Sequence, residues 1–248
     1  YRFVPERFKQ PPPVRLGKMS TVELVGLLAH PNGWHRNTAS RLLYERQDRK
    51  AVLPLAALAA GPTSPLGRMH AMYALDGLGM LTPETVLPRL DDEHPRVREH
   101  AVRLAEVVLA DSPAVRNRLY GMVDDRDIRV RYQLAFTLGN ISGDRATAAL
   151  ADVAKSDVGD KWIRLALLSS SFARAGDLFA KLAADAKWRA GKNGRGFLAQ
   201  LAEQAGLQKR DDQVAEVFNA MNGLPDKEKT LLGAVAAGLG KGLKKSKS

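Results

Sequence analysis

The sequence predicts an all-α solenoid of stacked antiparallel helix pairs. Three observations carry that reading. Ala and Leu, both strong helix formers, dominate a chain of 248 residues that is 45% hydrophobic and only 6% aromatic. Period-2 runs of Val, Ile and Thr, which would mark strands, are missing. A sequence unit also returns with a period near 32 residues, containing two helical stretches each time.

The repeat is clearest in two ungapped copies, Leu90-Asp91-Asp92-Glu93-His94-Pro95-Arg96-Val97-Arg98 and Val123-Asp124-Asp125-Arg126-Asp127-Ile128-Arg129-Val130-Arg131. Both carry Asp-Asp, then Val-Arg, and they lie 33 residues apart. Arg36, Arg68, Arg98, Arg131 and Arg164 extend the series at spacings of 32, 30, 33 and 33. Each opens an Ala/Leu-rich stretch, Arg36 to Leu43, Arg68 to Leu78, Arg98 to Leu109, Arg131 to Leu138 and Arg164 to Leu168. An apolar first helix precedes each: Val22–Leu28, Val52–Ala60, Pro83–Leu90, Val115–Val123 and Ala146–Ala154. In the third repeat Val97, Ala101, Leu104, Ala105, Val108 and Leu109 fall on one helical stripe, the face a stacked helix buries. Pro65 and Pro95 stand where a helix start loses nothing by lacking an N–H.

Between the two helices the acidic pair is placed to cap the incoming helix and meet its positive dipole end. The arginine one turn later can reach the acid of a neighbouring repeat. Asp92, Arg98, Asp125 and Arg131 are therefore the expected structural ladder. Pro31-Asn32-Gly33-Trp34 and Gly61-Pro62-Thr63-Ser64 replace the acidic turn in repeats one and two. In repeat five Asp157 and Asp160 bracket the expected position, which leaves the ladder open there.

These residues resemble HEAT repeats of the short-period, PBS-lyase-like kind, most closely over 82–140. Five pairs are recognisable and up to seven are expected, since 177–207 reads as a divergent pair broken at Gly191-Lys192-Asn193-Gly194 and 211–239 as a last pair with Pro225 opening its second helix. The phrases Gly33-Trp34-His35-Arg36-Asn37-Thr38, Arg68-Met69-His70-Ala71-Met72-Tyr73 and Val97-Arg98-Glu99-His100-Ala101 also resemble the HEAT segment of planctomycete-type membrane-bound dehydrogenases. His35 and Tyr73 depart from the tryptophans expected there. The resemblance implies a larger exported, periplasmic protein with a sorbosone-dehydrogenase-like propeller before this segment and a cytochrome c-like domain after it. Redox chemistry would belong to those flanking parts. A cytoplasmic setting stays open.

The expected organisation is a Pro-rich linker or strap over 1–19, a HEAT-repeat solenoid over 20–207, a terminal capping helix pair over 208–240 and a basic disordered tail over 241–248. The chain opens at Tyr1 without Met or signal peptide, and is expected to be a piece of a longer protein or a processed one. No apolar run reaches the ~18–20 residues of a membrane span.

Function classes narrow in the same way. With no cysteine, disulfides, thiolate metal sites, cysteine nucleophiles and covalent c-type haem attachment are excluded. His30, His35, His70, His94 and His100 form no i, i+4 pair and no His-Glu-x-x-His, so no metal site is expected. Ser169-Ser170-Ser171 lacks a nucleophile elbow, and Gly238-Leu239-Gly240-Lys241-Gly242 lacks phosphate-loop spacing. No catalytic residue and no cofactor is expected. The net charge is +11, but residues 1–20 and 241–248 hold +4 each, leaving +3 for the body. That placement argues against a nucleic-acid-binding body. Thr230–Lys247 reads as a linker weakened by its glycines, with membrane contact by a basic amphipathic helix as the lesser alternative.

The expected function is a non-catalytic scaffold for a protein partner or for neighbouring domains of the same polypeptide. Its alternatives are a nucleic-acid-binding HEAT-like module and an accessory domain contributing to a dehydrogenase active site. Trp34, His70, Tyr73, His100, Arg103 and Tyr132 are the candidate interaction residues, chosen because second helices of such repeats tend to line the binding face; Trp34 reads equally well as a cap on the first hairpin.

Overall fold

The computed structural model describes residues 7, 9, 15–62, 64–225 and 228–245. Pro11-Pro12-Pro13 and most of the expected strap lie outside the described residues, as do residues 246–248. The fold is all-α, with no strand among the described residues and no helix long and apolar enough to cross a membrane. Compactness divides the chain once, between Leu81 and Thr82, inside what the sequence presents as a single solenoid.

The first unit, Tyr1–Leu81, holds two helix pairs: α1 (Thr21–Leu27) with α2 (Gly33–Arg46), and α3 (Val52–Ala60) with α4 (Pro65–Gly77). A capping box starts α1, where the Ser20 hydroxyl accepts from the Glu23 amide and Glu23 accepts from the Ser20 amide. Arg46 at the end of α2 donates to the carbonyls of Met19 (2.7 Å) and Gly17 (3.0 Å), pinning the approach to α1. Gln47 then takes the left-handed conformation (φ 47°) that stops α2. Leu24, Leu28, Leu43, Leu55, Met72 and Leu75 fill the core.

The second unit, Thr82–Ser248, stacks further pairs. They are α5 (Pro83–Val86, continued as a 3-10 turn to Asp91) with α6 (Pro95–Ala105), α7 (Pro113–Tyr120) with α8 (Ile128–Gly139), and α9 (Asp144–Asp157) with α10 (Lys161–Ser170). There follow α11 (Ala175–Ala183), short α12 (Ala186–Ala190), α13 (Lys192–Gln208), α14 (Asp211–Asn222) and α15 (Lys229–Lys245). First helices pack on first helices (α7 on α9, α9 on α11, α11 on α14), and second on second (α6 on α8, α8 on α10, α10 on α13, α13 on α15). Two layers result, with the apolar stripes buried between them. Pro83, Pro95 and Pro113 all sit in first turns.

One local rule sets the second helix in six pairs. A capping residue is followed four positions on by arginine: Asn32 and Arg36, Ser64 and Arg68, His94 and Arg98, Asp127 and Arg131, Asp160 and Arg164, Asp185 and Arg189. The cap side chain accepts an amide of the first turn. The arginine folds back instead. Arg36, Arg98, Arg131, Arg164 and Arg189 each donate to the carbonyl six residues earlier, at His30, Asp92, Asp125, Val158 and Ala183. Those carbonyls lie where the preceding helix ends and have no helical partner of their own.

Four expectations need correction. Asp92 and Asp125 do not cap the helix; His94 and Asp127 do, while Asp92 and Asp125 accept the amides of those capping residues (3.0 and 2.9 Å). The break at Gly191-Lys192-Asn193-Gly194 shrinks to Gly191, because α13 starts at Lys192. The last helix begins after Pro225, with Lys229 as its first α-helical residue. The tail expected to be disordered from Lys241 is helical through Lys245, since Lys241 and Lys245 both reach Glu203 on α13 (2.9 and 3.0 Å). Glycines bring that helix close: a Cβ at Gly238 or Gly242 would strike the carbonyls of Ala199 or Glu203, and one at Gly206 the carbonyl of Leu239. Three of these residues lower helix propensity locally, but they let two backbones meet.

Candidate interaction surface

Several charged side chains of the second unit hold pairs together. Arg98 grips Asp125 of the next pair with two bonds, Nε to Oδ2 at 2.7 Å and Nη2 to Oδ1 at 2.8 Å, with both side chains under 10% exposed. Arg131 does the same to Asp157 (2.6 and 2.9 Å), so the ladder continues into repeat five. Asp92 accepts from Arg89 within its own repeat at 3.3 Å. Burial raises the Asp125 carboxyl, but Arg98 and the Asp127 amide outweigh it and hold it below the usual carboxylate range. Hydrogen bonding to its acid holds each arginine above its ordinary value. Arg96 to Asp127 (2.8 Å) and Arg118 to Asp91 (2.6 Å) add a second, outer row. The sequence reading missed Arg189, whose guanidinium takes Glu228 at 2.8 and 3.0 Å. Its signal was present in Asp185 four residues earlier.

The exposed apolar side chains have a different logic. On α8 the core takes Val130, Leu134, Ala135 and Leu138. Ile128, Tyr132 and Phe136 recur at i, i+4 and i+8 on the other side, with the Tyr132 and Phe136 rings edge to face at 5.1 Å. Ile128 is 45% exposed. On α10 the core takes Ile163, Ala166 and Leu167, leaving Trp162 and Leu165 more than half exposed; Phe172 follows just beyond the helix. The Lys161 ammonium lies over the Trp162 ring at 4.7 Å.

Two clefts lie along the seam between α8 and α10. The first, of about 290 Å³, is lined by Ile128, Tyr132, Trp162 and Ile163, with Arg129 and Asp160 on its rim. The second, of about 590 Å³, is lined by Phe136 and Phe172 and by the polar groups of Arg103, Glu106, Gln133, Ser170 and Arg174. At Gly139 a Cβ would come within 2.7 Å of the Ser170 side chain, so glycine there sets how closely α8 and α10 approach. Arg174 donates from Nη2 to the Gly139 carbonyl (3.3 Å), but its buried Nη1 has no hydrogen-bond partner.

The six candidate residues divide between the units. Tyr132 lines the first cleft, Arg103 the second, and His100 lies half-buried on α6. Burial pushes the His100 imidazole below its ordinary value. Trp34, His70 and Tyr73 belong to the first unit. Trp34 is 58% exposed in the first turn of α2, edge-on to His35 at 5.1 Å, and His35 stacks on His30 at 4.2 Å. His70 and Tyr73 lie half-buried on α4. Ile128, Phe136, Trp162, Leu165, Phe172 and Arg174 were not singled out from sequence. Among the described residues no cluster of three or more His, Cys, Asp or Glu could hold a metal ion.

Residues 83–170 match the family model for HEAT repeats. The chain contains a HEAT-repeat domain. The match spans α5 to α10, the stretch that includes the arginine ladder and the α8/α10 seam. No curated protein matches the chain.

Proposed function

We propose that this HEAT-repeat chain is a non-catalytic scaffold that holds a protein partner, or a neighbouring domain of its own polypeptide, on the second-helix face of α8 and α10. The carrying observation is the set Ile128, Trp162, Leu165 and Phe172, large apolar side chains left on the surface although neighbouring positions fill the core, with the half-buried rings of Tyr132 and Phe136 beside them on α8. Contiguous apolar surface of this kind is characteristic of interaction sites. The charge economy supports a protein over a nucleic acid, since Arg96, Arg98, Arg118, Arg131 and Arg189 are committed to internal acids. The resemblance to membrane-bound dehydrogenases supports placing this scaffold in a larger exported protein, where redox chemistry lies elsewhere.

A photo-crosslinking residue at Trp162 or Leu165, introduced into the protein in its native cells, tests the reading. A reproducible adduct with one polypeptide, or with another segment of the same chain, is expected at both positions. A control on α3 at Leu53, which is 82% exposed, should give none. Equal labelling at all three positions, or none at any, rejects the α8/α10 face as the binding surface.

A further inference from the structure

The sequence contains three Asn-Gly steps, Asn32-Gly33, Asn193-Gly194 and Asn222-Gly223. An asparagine before glycine can lose its side-chain amide without an enzyme, because no side chain blocks the approach of the glycine nitrogen to the asparagine Cγ. Ring closure needs the asparagine backbone to turn out of its helical or extended conformation, so the fold around each step decides whether it reacts. At Asn32 hydrogen bonds oppose that turn. Its Oδ1 accepts from the Trp34 amide at 2.9 Å, and its own amide donates to His30 Nδ1 at 3.0 Å. Swinging the side-chain carbonyl toward Gly33 breaks the cap that starts α2. At Asn193 packing opposes it. Asn193 lies in the first turn of α13, and Gly194 is buried so closely against α12 that a Cβ there would stand 2.3 Å from the Trp188 carbonyl. Asn222 has neither restraint. It is the last residue of α14, it and Gly223 are both exposed, and among the described residues no hydrogen bond holds its side chain. The Gly223 amide is directed at the Met221 carbonyl, not at Asn219 one turn back, so α-helical bonding has already ended there.

We propose that Asn222 is a site of covalent self-modification, the Asn-Gly step that deamidates while the chain is folded. The Gly223 nitrogen attacks Asn222 Cγ and gives up its proton, and the side-chain nitrogen leaves as ammonia, closing a succinimide. Water then adds to one of the two ring carbonyls and opens the ring. One opening gives aspartate. The other gives isoaspartate, in which the chain runs through Cγ. No electrons are transferred, and water is the only co-reactant. Either product places a carboxylate at the C-terminal end of α14, where the helix dipole disfavours it. Isoaspartate also lengthens the backbone by one carbon just before the Pro225 turn into α15. The modification is confined to the terminal pair and leaves the α8/α10 surface unaltered, so it is independent of the scaffold reading.

Ageing the intact chain at physiological temperature and mildly alkaline pH, then digesting it rapidly for mass spectrometry, measures amide loss at each step. Asn222 should convert at least about ten-fold faster than Asn32 or Asn193, whose reaction needs a local opening of the fold. Its product should include isoaspartate, which only the ring route gives. In urea the three steps should react at similar rates, which separates the effect of the fold from that of the sequence. Gly223→Ala should slow the reaction at Asn222 several-fold by crowding the attacking nitrogen. That variant keeps the fold, since φ at Gly223 is −81° and the added Cβ comes no closer than 3.6 Å to the Ala220 carbonyl. Equal loss at all three steps in the folded protein, or faster loss at Asn32 or Asn193, overturns the proposal. A lead for Asn222 that persists undiminished in urea overturns it too, because flanking residues rather than the fold would then select the site. Aspartate without isoaspartate at Asn222 overturns the succinimide route.

Discussion

At the scale of single residues, each ladder arginine ties a backbone carbonyl of its own repeat to the acid of the next. Arg98 satisfies carbonyls at the end of its own first helix, Asp92 at 2.8 Å and Glu93 at 3.2 Å, and grips the acid of the next pair. Removing the acid leaves a buried, desolvated guanidinium, a loss larger than the pair's net attraction. Asp125→Asn should therefore destabilise the protein by about 3 kcal/mol in urea unfolding. The acid dependence follows from the depressed Asp125 carboxyl. A group held below its unfolded value stabilises the fold fully above that value, about pH 4, and the contribution disappears as pH falls through the folded value. The gap between the natural protein and Asp125→Asn should be constant near neutrality and close as pH falls below about 4. A gap that stayed constant to lower pH would mean the carboxylate's charge contributes nothing.

At the scale of helices, glycine placement makes a sharper prediction than glycine content. Gly233 and Gly240 on α15 face open space, whereas a Cβ at Gly242 meets the α13 backbone at Glu203 and Leu207. Gly240→Ala should raise stability by about 0.5–1 kcal/mol through helix propensity alone. Gly242→Ala should lower it, because neither backbone can yield without separating α13 from α15. Thermal unfolding of the two single variants distinguishes these signs. The contrast also shows what the sequence could convey. Helix pairs and their periodicity were legible because burial imposes the apolar stripe residue by residue. The terminal helix was legible as the second of a last pair, but its glycine-rich end read as linker or disordered tail, because glycine's low helix propensity is a local property while the close approach that offsets it involves Glu203, almost forty residues away. Asp157 was similarly ambiguous beside Asp160; only the position of Arg131 shows that Asp157 takes the ladder while Asp160 caps α10. The α8/α10 surface was partly legible. Tyr132 stood out as an aromatic, but Trp162 and Phe172 are exposed only because the second-helix layer leaves that side of α10 open.

At the scale of the second unit, stability should be distributed rather than global. Its helices contact chiefly their neighbours in the stack: α6 meets α8, α8 meets α10, and α13 meets α15. In such an array stability is approximately a sum of local terms and nearest-neighbour interfaces, and regions can open separately. Hydrogen exchange can locate each perturbation. Gly242→Ala should speed exchange in α13 and α15, including the buried segments around Leu201 and Leu239, while amides around Val97, Ala101 and Leu134 keep their protection. Asp125→Asn should do the reverse, loosening α6 and α8 and reaching α15 last. If both variants instead raise exchange uniformly from α6 to α15, the unit unfolds as one all-or-none core. The ladder would then add to a single global stability rather than tying one pair to the next, and pairs distant from the α8/α10 seam would influence how firmly that surface is held.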